Sequence, residues 1–159
     1  MDVSYRMEAG RFNLRAAGLL VSNNKLLVMK LDTTPYYFPP GGRVKLHENS
    51  AETLKREWAE ELELAVKVDE LAVIAESYFT EMVTGEQYHE IGFYYWLEPQ
   101  CAEALPTRQE FERVDEASKP LYFRWQPIDA LGDIFIRPPF LQKGLPPCQA
   151  APMHLIEYQ

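Results

Sequence analysis

Hydrophobic and polar positions alternate through much of the chain in the way that is typical of β-strands. Residues 13–31 contain two apolar runs, AAGLLV and KLLVMKL, separated by SNN at positions 22–24. Serine and asparagine favour tight turns, so this segment predicts a β-hairpin. A second hairpin is predicted from LAVIAESYFTEMV and QYHEIGFYYWLEP, which are rich in β-branched and aromatic residues and flank the turn sequence TGEQ at 84–87.

The apolar period changes after Asn49, where a helix is predicted. The apolar positions that recur at spacings of three and four, and so form one stripe, are Ala51, Leu54, Trp58 and Leu62. Asn49 is a suitable N-cap, and Glu52 lies three residues later, as in a capping box. We expect a helix from there to about Leu62, packed on a sheet.

The second half of the chain is less regular. Residues 100–120 are polar and predict a long loop, LYFRW at 121–125 predicts a short strand, and Pro127 is expected to open a helix at PIDAL. The Pro-rich tail, 138–152, gives no clear element. Strands, a helix and further strands predict an α/β protein with helices packed on a mixed sheet. The length of 159 residues and the uniform composition predict a single domain over 1–159.

Composition and charge exclude several function classes. The chain is 47% hydrophobic and has a formal net charge of −8, the wrong sign for coating a nucleic-acid polymer. Cys101 and Cys148 supply neither a disulfide framework nor a zinc-binding spacing. The N-terminal segment lacks the apolar run of a signal peptide, and no stretch is long enough for a membrane span. We therefore expect a cytoplasmic protein with no membrane partner.

Acidic residues crowd the predicted helix in a way that helix stability disfavours. Glu57 and Glu61 form a like-charged pair four residues apart, near the helix end where the macrodipole is already negative. A bound cation would relieve both penalties, and oxygen ligands suit Mg²⁺ first and Mn²⁺ second. The alternative is a solvated charged face on which Arg56 screens Glu60.

The spacing of this segment favours the cation hypothesis. GRVKLHENSAETLKREWAEELEL, residues 42–64, resembles the Nudix box, G-x5-E-x7-R-E-U-x-E-E-x-G-U, where U is a bulky apolar residue. The fixed positions that fall in register are Gly42, Glu48, Arg56, Glu57, Glu60 and Glu61. Two positions depart from the pattern: Trp58 stands where an aliphatic residue is usual, and Glu63 replaces the glycine that ends the helix.

The resemblance implies a Nudix (MutT-like) hydrolase with an α/β/α sandwich around a mixed sheet. Such an enzyme uses divalent metal to cleave the pyrophosphate of a nucleoside diphosphate linked to another moiety, here a small molecule such as a nucleotide or nucleotide sugar. It also implies that the chain could form a homodimer. Metal ligands are then expected at Gly41, through its carbonyl, and at Glu57, Glu60 and Glu61. Arg56 would orient Glu57, and Glu48 would support the same network.

Four questions stay open from the sequence. The general base is expected to be Glu57, with loop acids Glu110, Glu112, Asp115 and Glu116 as alternatives. Substrate contacts are expected from Gly42, Arg15 and Arg43, and for the two arginines solvated surface is an equal alternative. Alternation along QYHEIGFYYWLEP places Glu90, Gly92, Tyr94 and Trp96 on one strand face, and their rings could stack on a base or simply pack. A non-catalytic, nucleotide-sensing module of the same fold is the rival function.

Overall fold

The computed structural model describes residues 1–148 and 151–159, and most of its regular structure is sheet. The strands are β1 (Ser4–Met7), β2 (Gly10–Ser22), β3 (Lys25–Leu31), β4 (Gly41–Arg43), β5 (Val66–Thr80), β6 (Gln87–Pro99), β7 (Glu110–Val114), β8 (Pro120–Pro127) and β9 (Met153–Tyr158). One α-helix, α1 (Ser50–Leu62), and three 3₁₀ helices, Ala102–Ala104, Ile128–Asp133 and Pro139–Lys143, complete the described elements.

The sheet is mixed, as the sequence predicts. Its strand order is β7-β8-β3-β2-β6-β5-β9, and β1 and β4 also pair with β2. The β2–β6 and β5–β9 pairs are parallel, and the other pairs are antiparallel. Both predicted hairpins are confirmed, with Asn23 and Asn24 in left-handed backbone at the first turn.

The first hairpin opens soon after its turn, and this opening positions the candidate site. β2 and β3 pair only at Val21–Leu26 and Ser22–Lys25. Farther from the turn, β4 pairs with β2 over Arg15–Ala17, while β3 pairs with β8. The short glycine strand β4 thus occupies the space that the separating strands leave.

Two apolar clusters cover the two faces of the sheet, which confirms the sandwich architecture. On one face, α1 buries Leu54, Trp58 and Leu62 against β2, β3, β6 and β8. On the opposite face the cover comes from the 3₁₀ segments, with Leu131, Ile136 and Leu141 packed on the sheet. The second helical layer is therefore made of short 3₁₀ turns instead of long α-helices.

Some local predictions are wrong. The expected loop at 100–120 contains a 3₁₀ helix and β7, because β7 finds an antiparallel partner in β8. The helix expected at PIDAL is present and is a 3₁₀ helix, Ile128–Asp133, with Pro127 at its N-cap position. The unassigned tail contains the 3₁₀ helix Pro139–Lys143, and β9 follows it; residues 149 and 150 lie outside the described range. Within that range, no helix is both long and apolar enough to cross a membrane.

Candidate active site

The two glycines of β4 allow α1 and β2 to approach the same short strand. A Cβ atom at Gly41 would lie 2.1 Å from the Ala16 carbonyl oxygen, and one at Gly42 would lie 2.2 Å from the Glu57 carboxyl carbon. Both distances are far inside van der Waals contact, so neither position accepts a larger residue without a shift. Gly42 therefore seats the carboxylate of Glu57 directly on the strand.

The start of α1 is fixed by its cap, as the sequence predicts. Asn49 Oδ1 accepts a hydrogen bond from the Glu52 backbone N–H at 2.9 Å. This bond satisfies one of the free donors of the first turn and typically contributes about 1 kcal/mol. In the middle of the helix, Trp58 Nε1 donates to the Pro40 carbonyl at 3.3 Å, which ties the buried face of α1 to the loop before β4.

Arg56 is the centre of the candidate site. Its guanidinium donates to both oxygens of Glu48, at 2.8 and 2.9 Å, and to Glu57 Oε1 at 2.5 Å. Weaker contacts of 3.3 Å reach Glu60 and the Arg43 carbonyl. One planar donor group thus holds carboxylates from the loop and the helix in a fixed arrangement. The hydrogen bonds that Arg56 donates to Glu48 are the largest of the effects that raise the Arg56 pKa.

Glu48 is held in its ionised form. The Arg56 hydrogen bonds, together with those from the Thr53 hydroxyl at 2.8 Å and the Lys45 N–H at 3.2 Å, lower the pKa of Glu48 to about 2. Thr53 is fully buried and was not foreseen as part of the site. Its position three residues before Arg56, on the same face of a helix, is the signal that would have identified it.

Glu61 has the opposite electrostatic character. Burial, followed by the negative charge of Glu57, raises the pKa of Glu61 to about 7, and the charges of Asp115 and Glu60 act in the same direction. Asp115 is the one candidate loop acid whose charge acts on Glu61, and its Oδ1 also accepts the N–H groups of Ala117 and Lys119. The site thus has more negative charge than its arginines offset.

The backbone at the end of α1 is strained, as the non-glycine residue at position 63 suggests. Glu63 adopts left-handed backbone, with φ 55° and ψ 31°, and its N–H bonds to the Ala59 carbonyl. The Leu64 N–H reaches the Trp58 carbonyl at 3.2 Å. This is the geometry of a glycine-terminated helix made with a glutamate, which costs about 1 to 2 kcal/mol.

The substrate-contact candidates lie on the strand side of the site. Arg15 Nη2 donates to the Gly41 carbonyl at 3.3 Å, and its guanidinium lies 5.2 Å from the Phe38 ring centre. Arg43 is opposite Arg15 in the β2–β4 pair, and its guanidinium is 3.8 Å from Asp2. Glu110, by contrast, is 3.6 Å from Arg124.

The donor set suits a hard divalent cation. Every candidate ligand is an oxygen, the charges of Glu57 and Glu60 act on the largely buried Glu61, and Glu57 is seated beside the Gly41–Gly42 strand. Within the described residues, no three acidic, histidine or cysteine side chains already converge as a cation site. Arg56 occupies one oxygen of Glu57 and one of Glu60, and each carboxylate keeps a second oxygen for a ligand.

The protein is thus an α/β protein with a mixed sheet. Its candidate site consists of carboxylates from α1 and from the preceding loop, which Arg56 holds together. This chain belongs to the NUDIX domain family, whose family model matches residues 12–144. A search of curated proteins returns no significant match.

Several solved structures share the fold. A NUDIX family hydrolase from Clostridium perfringens is 17% identical, with a TM-score of 0.58 over 81% of this chain and 91% of that one. The mutator MutT protein from Bacillus halodurans is 17% identical, with a TM-score of 0.53 over 81% and 77%. An ADP-ribose pyrophosphatase from Streptococcus suis is 11% identical, with a TM-score of 0.52 over 91% and 98%. At these identities the shared property is the fold.

Proposed function

We propose that this protein is a Mg²⁺-dependent hydrolase of a pyrophosphate linkage in a nucleoside diphosphate joined to another moiety. The main support is the Arg56 network, which fixes Glu48 and Glu57 at the glycine strand. A solvated helix acid would not be partly buried, joined through Arg56 to a loop carboxylate and packed on a glycine as Glu57 is. Membership of a family that includes an ADP-ribose pyrophosphatase and MutT proteins among its solved structures adds to this support.

The proposed roles follow from the contacts. Glu57, Glu60, Glu61 and the Gly41 carbonyl would hold Mg²⁺, with Mn²⁺ as a substitute. A bound divalent cation would supply charge neutralisation and polarisation of the phosphate. Glu57 is our first candidate for the general base, because its carboxylate lies against the glycine strand, where the cation and the attacking water would be. Arg56 and Glu48 act through Glu57 as positioning residues.

Arg15, Arg43 and Gly42 would face the substrate. The Arg15 guanidinium already reaches the Gly41 carbonyl and is therefore close to the atoms proposed to bind the cation. A guanidinium at this place would offset the negative charge of a diphosphate in a protein whose net charge is −8. Gly42 would allow the substrate and Glu57 to approach the same strand.

The proposal is tested by turnover of a panel of nucleoside triphosphates, nucleotide sugars, ADP-ribose and dinucleoside polyphosphates. We expect phosphate or pyrophosphate-bond cleavage with Mg²⁺ or Mn²⁺ and none in EDTA. Glu57→Gln should lower kcat by about 10²-fold or more, since it removes a ligand and a base. Glu52→Gln, an exposed change on the first turn of α1, is the matched control. Binding of these compounds without turnover by the unmodified protein would favour the sensing module.

A further inference from the structure

Four polar residues stand in one row across the face of the sheet opposite α1. The register pairs Asn13 with Glu90, Glu90 with Ser77, and Ser77 with Glu157, so β2, β6, β5 and β9 each contribute one residue. Side chains at even spacing along a strand share a face. All four therefore share the face of Tyr94, which belongs to the apolar cluster away from α1. We call these four residues the polar row.

The polar row has two buried and two partly buried members, and its hydrogen bonding is incomplete. Asn13 and Ser77 are only 3% and 4% exposed. Asn13 Nδ2 donates to Glu90 Oε2 at 2.6 Å, but Asn13 Oδ1 and Glu157 Oε2 are buried without a partner. A buried acceptor without a donor costs about 1 to 3 kcal/mol. Two such acceptors in one row are therefore a feature that packing alone does not explain.

An aromatic cluster lies beside the polar row. A Cβ atom at Gly92 would lie 2.8 Å from the Tyr94 ring, so the ring lies back along the strand toward the row. Tyr36 packs edge-on against Phe38 and Phe135, with ring centres 6.1 and 5.8 Å away. The charge of Glu90 also acts on Tyr36, and Glu90 is itself only partly buried. The row is thus open to solvent at Glu90, next to these rings.

The polar row is adjacent to the proposed reaction site. Arg15 lies two residues after Asn13 on the same face of β2, and it donates to the Gly41 carbonyl at 3.3 Å. Two residues along a strand span about 7 Å. A substrate with its phosphates beside Gly41 and Arg15 could therefore place its other part against Asn13 and Glu90.

The unpaired atoms define what the row can recognise. Asn13 Oδ1, the second oxygen of Glu90 and Glu157 Oε2 are all acceptors. The charges of Arg137 and Lys143 act on Glu157, and the Phe140 N–H donates to it. The remaining acceptors of the row favour an uncharged group with adjacent hydrogen-bond donors over a phosphate, which has no donor of its own when fully ionised. Two parts of a nucleotide have such donors: the N1–H and 2-amino groups of guanine, and the vicinal hydroxyls of a sugar.

We propose that the polar row is the recognition subsite for the non-phosphate part of the substrate, and that Glu90 and Glu157 select a group with two adjacent hydrogen-bond donors. The inference rests on the proposed function, since it takes the phosphates to lie at Gly41. It adds specificity-determining residues on a different face of the sheet from the helix that carries the acids.

Calorimetric binding in EDTA tests the proposal without turnover. The probes are GMP, IMP, which lacks the 2-amino group, and 2′,3′-dideoxy-GMP, which lacks the vicinal hydroxyls. We expect one of the two analogues to bind about tenfold or more weakly than GMP, which also identifies the source of the donors. Glu90→Gln and Glu157→Gln should each reduce that difference to about threefold or less.

The controls separate recognition from folding and from the proposed function. Glu98→Gln, an exposed change on the same strand as Glu90, should keep the full difference between the probes. If Glu90→Gln fails to fold, Glu157→Gln at the edge of the row carries the test. Equal binding of all three nucleotides, or an unchanged difference in both variants, would overturn the inference while leaving Mg²⁺-dependent hydrolysis intact. Loss of hydrolysis with the binding difference retained would instead overturn the proposed function alone.

Discussion

Glu48 links the stability of the fold to pH. Its folded-state pKa of about 2 lies below the ordinary value of 4.5, so its ionised form stabilises the folded protein. This contribution is complete above about pH 4.5 and is lost as the pH falls toward 2. We expect Glu48→Gln to be less stable than the unmodified protein at pH 7, with the gap narrowing below pH 4.5. Urea unfolding at pH 7, 4.5 and 3 measures it, and a constant gap would contradict the prediction.

Glu63 provides a second test at the scale of one residue. Its left-handed backbone strains a glutamate, and its charge lies at the negative end of the helix dipole. Glu63→Gly should remove both penalties at the expense of greater flexibility in the unfolded chain. We expect a net increase of about 0.5 to 1 kcal/mol in the free energy of unfolding.

Chemical denaturation of Glu63→Gly beside Glu63→Asn is the appropriate measurement. Asparagine tolerates left-handed backbone better than glutamate does, so it should fall between the two. Glu63→Ala removes the charge but keeps the strained backbone, and it separates the two causes. A lower free energy of unfolding for Glu63→Gly would contradict the prediction, because it would show that the Glu63 side chain stabilises the fold by more than its strained backbone destabilises it.

At the scale of elements, the contact between β4 and α1 determines the geometry of the site. A methyl group at Gly42 would overlap the Glu57 carboxylate and displace it from Arg56. We expect Gly42→Ala to reduce kcat by about 10²-fold, the effect typical of a displacement near 1 Å. Steady-state kinetics measures the loss. Gly132→Ala is the control: the position is exposed and outside the site, although the added Cβ would lie 3.2 Å from the Gln142 carbonyl oxygen. Normal kcat in Gly42→Ala would disprove the role of the β4–α1 contact.

The elements that the sequence predicts are those with local causes. The Asn23-Asn24 turn and the Asn49 cap depend on a few consecutive residues, and both form as expected. β9 was not predicted because its partner, β5, is distant along the chain. β7 pairs with its neighbour β8, but its sequence EFERV is mostly polar, so hydrophobic spacing alone does not indicate a strand there. The segment after Pro127 forms a 3₁₀ helix. Apolar spacing over five residues does not distinguish a 3₁₀ helix from an α-helix.

At the scale of the whole molecule, cation binding should stabilise the fold. A ligand that binds only the folded state adds about 2.7 kcal/mol when its concentration is 100 times its dissociation constant. We therefore expect Mg²⁺ to raise the Tm of the unmodified protein relative to EDTA. Glu57→Gln should reduce this shift, and the exposed variant Glu52→Gln should retain it. A Tm that is indifferent to Mg²⁺ and Mn²⁺ would contradict the ligand set.

The candidate site was only partly accessible from the sequence. Spacing along α1 and its loop is enough to bring Glu48, Arg56 and Glu57 together in prediction, because a helix fixes those distances. The row from Asn13 to Glu157 is different, since it depends on the register of three strand pairs, two of them parallel and far apart along the chain. Alternation assigns a face to Glu90 but does not identify its neighbours on other strands.

Because the first hairpin opens soon after its turn, α1 contributes to the cohesion of the sheet as well as supplying carboxylates to the site. β2 and β3 share only two paired positions, yet side chains from both lie in the one apolar cluster that encloses Trp58. A substitution that loosens the packing of α1 would weaken the contact between β2 and β3 on this face, although the cluster on the opposite face, which contains Leu19 and Leu26, also joins the two strands. A substitution on the buried face of α1 therefore affects two properties at once: the cohesion of the molecule and the alignment of the reacting groups.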